Sequence, residues 1–355
     1  MNITFLIGNG FDVGVGIKSR FKDFFPVYKE KSKTKTDRIK QLSNKIEEDY
    51  ENNYETWADF ETALGLYTAE FTPQTKQIFI DQVKDFETEF IAYLEDEENR
   101  LCFDENDEIS RVMLEALTKY YSTSNLAPES NAELSAVYTN HAGENHVYNF
   151  VNFNYTDILK KCLDTIPEKV VCRRKRGDTD KVDKIGTIIH VHGKNKLHPI
   201  IGVNDVSQIK NEELAKDSRF TKCIVKPSIN EALRLGNDKK ATNIINSSTI
   251  ICVYGMSLGA TDKKWWNMIL SWLHGNSARQ LVLFDYDNNY STATQFGWIE
   301  KEDELVDKLS QYNSNNAINV ENLRPRIHIA VHKNIFQMDF FEGKSWINSK
   351  IPAIV

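Results

Sequence analysis

The chain alternates between short runs of apolar residues and longer stretches in which apolar residues recur every three or four positions. The short runs lie at residues 2–8, Val147–Asn154, Gly186–His192, Ile200–Val203, Thr249–Tyr254, Gln280–Asp285 and Arg326–Val331. Ile250–Val253 and Leu281–Phe284 are apolar at every position. Such runs are typical of parallel strands that are covered on both faces. The pattern therefore predicts a mostly parallel sheet.

The region from about Phe21 to Tyr121 has a helical period instead. Two stripes of large apolar residues step by three and four: Trp57, Phe60, Leu64, Tyr67 and Phe71, then Phe79, Val83, Phe86, Phe90 and Tyr93. Thr72-Pro73 separates the stripes, which predicts two amphipathic helices that end and begin near the proline. Residues 204–246 are also polar and predict a further helical insertion.

These elements together predict an α/β protein with a doubly wound, mostly parallel, Rossmann-like sheet and a helical insertion. Residues 1–20 plus 140–355 would form the Rossmann-like nucleotide-binding domain. Residues 21–139 would form the inserted helical subdomain.

Composition narrows the class of protein. The chain has 355 residues, of which 41% are hydrophobic and 27% are charged, so it can bury a sizeable core. Its net charge of -7 disfavours binding along a nucleic-acid backbone, because that requires a basic surface. The one basic run, Arg173–Arg176, is typical of a solvated loop.

Cysteine usage and hydropathy indicate the compartment. The five cysteines are scattered and form no C-x-x-C pair, which predicts reduced thiols rather than disulfides or a zinc site. No apolar stretch approaches the roughly 18 residues of a membrane span. We therefore expect a soluble cytoplasmic protein without a membrane partner.

Small and polar residues follow several of the predicted strands. Gly8–Asp12 follows the first strand, Asn154–Asp157 the second, His192-Gly193 a third and Gly255–Asp262 a later one, while Gly202 closes another. Ligands of doubly wound sheets bind outside the carboxyl ends of the strands. The chain therefore predicts a crevice of nucleotide size at one edge of its sheet.

Each of these segments also has a purely structural interpretation. Gly8-Asn9-Gly10 lacks the full G-x-G-x-x-G pattern and could be only a tight turn. Asn154 and Ser257 could cap helices. His190 and His192 lie two residues apart and would share a face of a strand, as two metal ligands do. No third ligand has a telling spacing, so no metal is expected.

The ordered set of motifs resembles the AbiH family of bacterial abortive-infection proteins. The resemblance rests on Phe5–Asp12, Trp57–Glu61, Phe153–Asp157, His190–Gly193, Ile200–Gly202 and Tyr254–Asp262. The motifs extend from residue 3 to about residue 266, which is most of the chain. The resemblance implies a role in antiphage defence.

The order of motifs is also similar to that of sirtuin-like proteins, which bind NAD and in many cases hydrolyse it. By that resemblance Asn154 stands at the position of the sirtuin-like asparagine and His192 at that of the histidine. Gly8, Gly10 and Ser257 fall on the phosphate and ribose side. The first turn is Gly-Asn-Gly rather than Gly-Ala-Gly, and no zinc ribbon is present, which disfavours protein deacylation.

The resulting hypothesis is hydrolysis of NAD at the nicotinamide–ribose bond. His192 would be the general base, and Asn154 would orient water or a ribose hydroxyl. Asp12, Asp157 or Asp262 would supply negative charge. The predicted nucleotide-binding residues are Gly8, Asn9, Gly10, Phe11, Asp12, Gly193, Gly255, Ser257 and Asp262. Glu61 is a further candidate.

Two other functions are compatible with the same residues. One is a nucleotide-sensing or interaction module without turnover. The other is a nucleotide or RNA hydrolase that uses His190 and His192. The expected partners are NAD or a related nucleotide, together with a second copy of the chain or a phage-derived trigger. Nucleic acid is disfavoured.

Overall fold

The computed structural model describes residues 1–52, 60–101, 103, 106–122, 126–194, 198–286, 295–331, 334–336, 338–341 and 344–346. The chain forms two compact units. The first, which we call the sheet unit, comprises Met1–Gly16, Arg100–Val191 and Lys239–Val355. The second, which we call the helical unit, comprises Ile17–Asn99 and His192–Asp238.

The sheet unit is built on a seven-stranded, open and mostly parallel sheet. Its strands are β1 (Asn2–Ile7), β2 (Val147–Asn152), β3 (Val170–Arg176), β4 (Thr179–His190), β5 (Ile250–Tyr254), β6 (Gln280–Asp285) and β7 (Ile327–Val331). The order is β3-β4-β2-β1-β5-β6-β7, and β3 alone runs antiparallel to its neighbour. The expected α/β class with a mostly parallel sheet is confirmed. A separate hairpin pairs β8 (Asp339–Phe341) with β9 (Lys344–Trp346).

Helices account for most of the remaining described residues. They are α1 (Gly10–Gly14), α2 (Phe21–Ser32), α3 (Asp37–Asn52), α4 (Phe60–Tyr67), α5 (Lys76–Asn99), α6 (Asn106–Lys119), α7 (Pro128–Asn140), α8 (Ile158–Asp164), α9 (Glu212–Lys216), α10 (Ser218–Ile224), α11 (Lys226–Ala232), α12 (Asn237–Asn246), α13 (Lys263–His274) and α14 (Gln295–Gln311). None of the described helices combines the length and apolar character that crossing a membrane requires.

The sheet is covered on both faces, as its apolar strands predict. On one face, the ring of Phe5 stacks on Phe150 and meets Tyr120 edge-on. On the other face, Leu6 belongs to a core cluster with Trp266, a buried residue of α13. The tryptophans of α13 therefore pack in the core, which is the role that their apolar surroundings indicate.

The helical unit confirms the two apolar stripes. The stripe residues Phe60, Leu64 and Tyr67 of α4 are buried, and so are Phe79, Val83, Phe86, Phe90 and Tyr93 of α5. The rings of Phe60 and Phe86 stack with their centroids 4.3 Å apart. Helix α4 ends at Tyr67 and α5 begins at Lys76, on either side of Pro73. Trp57 lies outside the described residues.

Two local predictions are wrong. Ile200–Val203 is not a strand of the sheet, because it belongs to the helical unit and forms only one bridge, between Val203 and Val225. Arg173–Arg176 is not a loop but part of β3. An edge strand lets basic side chains alternate toward solvent, so Arg173 and Lys175 are exposed.

The predicted domain boundaries stay predictions.

Candidate functional site

Four parallel strands of the sheet unit end in one row. Ile7, the last residue of β1, pairs with Asn152 of β2 on one side and with Tyr254 of β5 on the other. Asn152 in turn pairs with His190, the last residue of β4. The segments that follow these strands therefore leave the sheet at the same edge.

The strand order reverses at β1. The chain proceeds from β1 outward to β2 and then β4, and it returns to the other side of β1 with β5. Such a reversal leaves a crevice between the diverging connections, and ligands of open α/β sheets bind there. The edge beside β1 is therefore the place where this fold most readily forms a ligand site.

The glycines after β1 allow two loops to touch. A Cβ atom on Gly8 would lie 2.5 Å from Cγ of Met256, and one on Gly10 would lie 2.5 Å from Cα of Gly255. The amides of Gly8 and Gly10 donate to the carbonyl groups of Tyr254 and Gly255, at 2.9 and 2.8 Å. The two loops are therefore held together through backbone hydrogen bonds that any side chain at these positions would disrupt.

These hydrogen bonds engage the backbone amides of the turn within the protein. The Phe11 amide donates to the Gly8 carbonyl at 3.0 Å, so the amides of Gly8, Gly10 and Phe11 are all bonded within the protein. Nucleotide binding by Gly8, Asn9, Gly10 and Phe11 stays a prediction.

Asp12, on α1, holds two side chains from the segment after β2. Its Oδ1 accepts a hydrogen bond from Nδ2 of Asn154 at 3.0 Å, and its Oδ2 accepts one from Oγ1 of Thr156 at 2.7 Å. The side chain is 1% exposed. Asp12 therefore orients its neighbours, a role that the sequence does not reveal.

The bond to Asp12 fixes the orientation of the Asn154 amide. A carboxylate only accepts, so the nitrogen of Asn154 must face Asp12 and its oxygen must face away. That Oδ1 atom is buried and has no hydrogen-bond partner within the described structure. The helix-cap interpretation of Asn154 is wrong, because α8 begins later, with Asp157 at its N-cap.

His190 lies beside Asn154; the sequence indicated it as a possible metal ligand and as a residue of the alternative hydrolase. Its Nδ1 is 3.4 Å from the carbonyl oxygen of Asn154 and 3.4 Å from Nδ2 of Asn152. Its Nε2 is 3.5 Å from Oδ1 of Asp157. The predicted catalytic residues Asn154 and Asp157 therefore lie together, with a histidine between them. In the sequence, His190 could have been identified by its place near the end of the predicted strand Gly186–His192.

His192 and Gly193 belong to the helical unit. Strand β4 ends at His190, so the expected alternation that would put His190 and His192 on one strand face does not apply. The His192 carbonyl accepts from the amide of Ile200 at 2.8 Å, and Gly193 has a left-handed φ of 69°. The roles of His192 as general base and of Gly193 as a nucleotide contact stay predictions.

The segment after β5 has a tight backbone. Gly255 has a φ of 68°, and a Cβ atom there would lie 2.7 Å from the amide nitrogen of Phe11. Helix α13 begins at Lys263 with Asp262 at its N-cap, so Ser257 is not the cap of this helix. Nucleotide contacts by Gly255, Ser257 and Asp262 stay predictions.

Cys162, on α8, is inert in this environment. Burial, and then the negative charge of Asp12, raise the pKa of its thiol far above the ordinary value. The protonated thiol is a poor nucleophile. Among the described residues no group of three His, Cys, Asp or Glu side chains is arranged to hold a metal ion. The prediction that no metal takes part remains untested.

Glu61 belongs to the helical unit, where it forms a buried ion pair with Lys226 at 2.6 Å. The same unit contains a cavity of about 340 Å³ near α3 and α5, lined in part by Lys45, Glu70 and Gln82. None of the predicted site residues lines this cavity. The candidate site therefore rests on the polar cluster at the sheet edge rather than on the cavity.

A protein-family model described as "Bacteriophage abortive infection AbiH" matches residues 4–284. This span covers most of the chain and contains every residue predicted for the site. No match was found among curated proteins.

Proposed function

This chain belongs to the AbiH family of bacteriophage abortive infection proteins, and on that premise we propose that it binds NAD and hydrolyses its nicotinamide–ribose bond. The AbiH family acts in defence against phage. Loss of NAD would arrest an infected cell before the phage completes its replication. Because the same loss would kill an uninfected host, the activity would be restrained until a phage-derived trigger appears.

The observation that carries the proposal is the buried oxygen of Asn154. It is an acceptor at the edge of a parallel sheet, and Asp12 fixes its direction. A buried acceptor without a partner is destabilising by about 1–3 kcal/mol, so its retention favours a role in binding. A ribose hydroxyl or a water molecule is the donor that NAD hydrolysis would supply.

The strand order supports a dinucleotide as the ligand. Numbered in chain order without the antiparallel edge strand, the six parallel strands run 3-2-1-4-5-6 across the sheet. Rossmann-like folds that bind dinucleotides have this order, and their ligand lies at the point of reversal. The Asp12–Asn154–Thr156 cluster belongs to the segments that follow the first two of these strands, next to that point.

The reaction requires few protein groups. The bond between C1′ of the ribose and the pyridinium nitrogen breaks, and its electron pair neutralises the departing nicotinamide. Water then bonds to C1′ and releases one proton, giving ADP-ribose. No general acid is needed, and the site must stabilise an oxocarbenium-like sugar, for which nearby carboxylates are suited.

Within this proposal the residues of the sheet unit have separate roles. Asn154 would contact the ribose or the attacking water directly. Asp12 and Thr156 are positioning residues, because they act through the orientation of Asn154. Asp157 and His190 would supply charge or accept the released proton. Within the sheet unit the general base would be His190, and the role of His192 as general base stays a prediction.

Purified protein incubated with NAD, with and without phage lysate as a source of trigger, tests the proposal. We expect release of nicotinamide, measured by mass spectrometry, and a loss of about 10²-fold or more in Asn154→Ala. Asn140→Ala, which changes an exposed asparagine at the end of α7, is the control and should match the wild type. Comparing His190→Ala with His192→Ala identifies the base.

Two results would contradict hydrolysis. If NAD binds and no nicotinamide appears under any condition, the protein is a nucleotide sensor without turnover. If NAD does not bind at all and Asn154→Ala behaves like Asn140→Ala in every assay, the cluster at the sheet edge is structural and the proposal fails.

A further inference from the structure

The helical unit contains a second polar cluster, which we call the amide cluster; three of its members are buried and Asn204 is half-buried. It consists of Glu61 on α4, Asn204, and Lys226 and Asn230 on α11. The ammonium group of Lys226 donates to Oε2 of Glu61 at 2.6 Å, and 7% of Lys226 and 9% of Glu61 are exposed. Buried ion pairs are retained only where their surroundings compensate for desolvation, so this one calls for an explanation.

Backbone geometry brings the other two members beside the ion pair. Val203 and Val225 form a parallel bridge, in which the Val203 amide donates to Ile224 and the Lys226 amide donates to Val203, both at 2.8 Å. The residues that follow the bridge, Asn204 and Lys226, are therefore neighbours. Asn230 comes four residues after Lys226 and lies on the same face of α11.

Both asparagines have hydrogen-bonding capacity that the described structure does not use. Nδ2 of Asn204 is buried without a partner, and so is Oδ1 of Asn230. Nδ2 of Asn230 donates to Asp238 at 2.8 Å. The Asn230 atom without a hydrogen-bond partner is therefore its oxygen, which is an acceptor. The cluster thus offers one unused donor and one unused acceptor, next to an ammonium group whose charge is already neutralised.

We propose that the amide cluster binds a small neutral molecule through a primary carboxamide. The carboxamide oxygen accepts from Asn204 and the carboxamide nitrogen donates to Asn230, so both unused atoms are satisfied. A charged ligand is disfavoured, because Glu61 and Lys226 neutralise each other and leave no counter-ion for it. This site does not depend on NAD cleavage, since all four residues belong to the helical unit.

Ligand-observed NMR on the full-length protein tests the proposal without any activity assay. The probes are nicotinamide, benzamide and L-glutamine, which carry the same carboxamide on different bodies, and nicotinate, which has a charged carboxylate instead. We expect at least one carboxamide to bind and nicotinate to bind about tenfold more weakly than nicotinamide, or not at all. The order of the three carboxamides by affinity shows which kind of molecule the site prefers as the carrier of the carboxamide.

Asn204→Ala is the decisive variant, because the side chain of Asn204 forms no hydrogen bond within the described structure. We expect it to weaken carboxamide binding about tenfold or more, while the melting temperature stays equal or rises. Asn230→Ala should weaken binding similarly. Asn140→Ala, which changes an exposed asparagine on α7 of the sheet unit, is the control and should bind like the wild type.

Equal binding by Asn204→Ala and the wild type would overturn the proposal. So would the absence of binding by all three carboxamides, which would mean that the unused atoms contact only water. A fall in the melting temperature of Asn204→Ala would contradict it too, because that side chain would then stabilise the fold rather than await a ligand.

Discussion

Two buried carboxylates, Asp12 of the sheet unit and Glu61 of the helical unit, have different kinds of partner. Asp12 of the sheet unit accepts hydrogen bonds from uncharged groups of Asn154 and Thr156. Glu61 of the helical unit is bonded to the ammonium group of Lys226. The bonds to Asp12 fix the direction of neighbouring side chains, whereas the bond to Glu61 joins two opposite charges in the interior.

The largest effect should come from breaking the ion pair of the helical unit. Lys226→Met leaves the charge of Glu61 buried without its cation, and we expect a loss of about 3–5 kcal/mol in the free energy of unfolding, measured with urea. The double variant Glu61→Gln/Lys226→Met removes both charges and should recover most of that loss. If Lys226→Met unfolds like the wild type, the ion pair does not stabilise the unit.

Acid should weaken the sheet unit. Burial lowers the pKa of His328 on β7 to about 4, against 6.5 in the unfolded chain, although Glu133 lies 3.8 Å from the ring. The unfolded state therefore binds the proton first, and stability falls as the pH drops from 6.5 toward 4, by about 3 kcal/mol in total. Hydrogen exchange in β6 and β7 measures this loss. In His328→Gln the stability should depend less on pH over this range. An unchanged profile in that variant would exclude His328 as the cause.

The helical unit should respond to acid with the opposite sign. Burial raises the pKa of Glu87 on α5 to about 7 from 4.5. The folded state binds the proton first, so the contribution of Glu87 is complete below pH 4.5 and is lost as the pH rises through 7. We expect Glu87→Gln to stabilise α5 by roughly 2 kcal/mol at pH 8, measured by hydrogen exchange. The same variant at pH 4 should match the wild type, and a difference there would indicate a packing effect.

The smallest effect concerns the neutral donors around Asp12. Thr156→Val keeps the shape of the side chain and removes one hydrogen bond to the carboxylate, which should reduce the free energy of unfolding by about 1.5 kcal/mol. Nicotinamide release should fall as well, because Asn154 loses a fixed neighbour. Thr156→Ser retains the hydroxyl and should restore activity. A Thr156→Val protein with full stability would mean that Asp12 does not need this donor.

Local patterns of apolar residues predicted most helices and strands. They did not predict an exposed edge strand, or the unit to which a short apolar segment belongs. The apolar runs of β5 and β6 indicated buried strands because every position is covered. The basic residues of β3 were not predicted to form a strand, because an edge strand tolerates charge at its exposed positions. Ile200–Val203 has the composition of a strand, but it lies in the helical unit and pairs through a single bridge.

The candidate site was predicted only in part, for a similar reason. The strand ends identified Asn154 and Asp157, because polar residues after buried strands are visible in any sequence. They did not reveal that Asp12 and Thr156 orient Asn154, or that His190 lies against Asp157. Nor did they reveal that the amides of the glycine turn are bonded within the protein.

The sequence by itself determined which segments are strands and helices, because burial imposes a period of two or of three to four on neighbouring residues. It also determined the family, through the order of its motifs. Only the tertiary structure decided which polar groups meet: Asp12 and Asn154 are 142 residues apart. Their bond depends on the register between β1 and β2, which is set by packing across the whole sheet and leaves no trace in local periodicity.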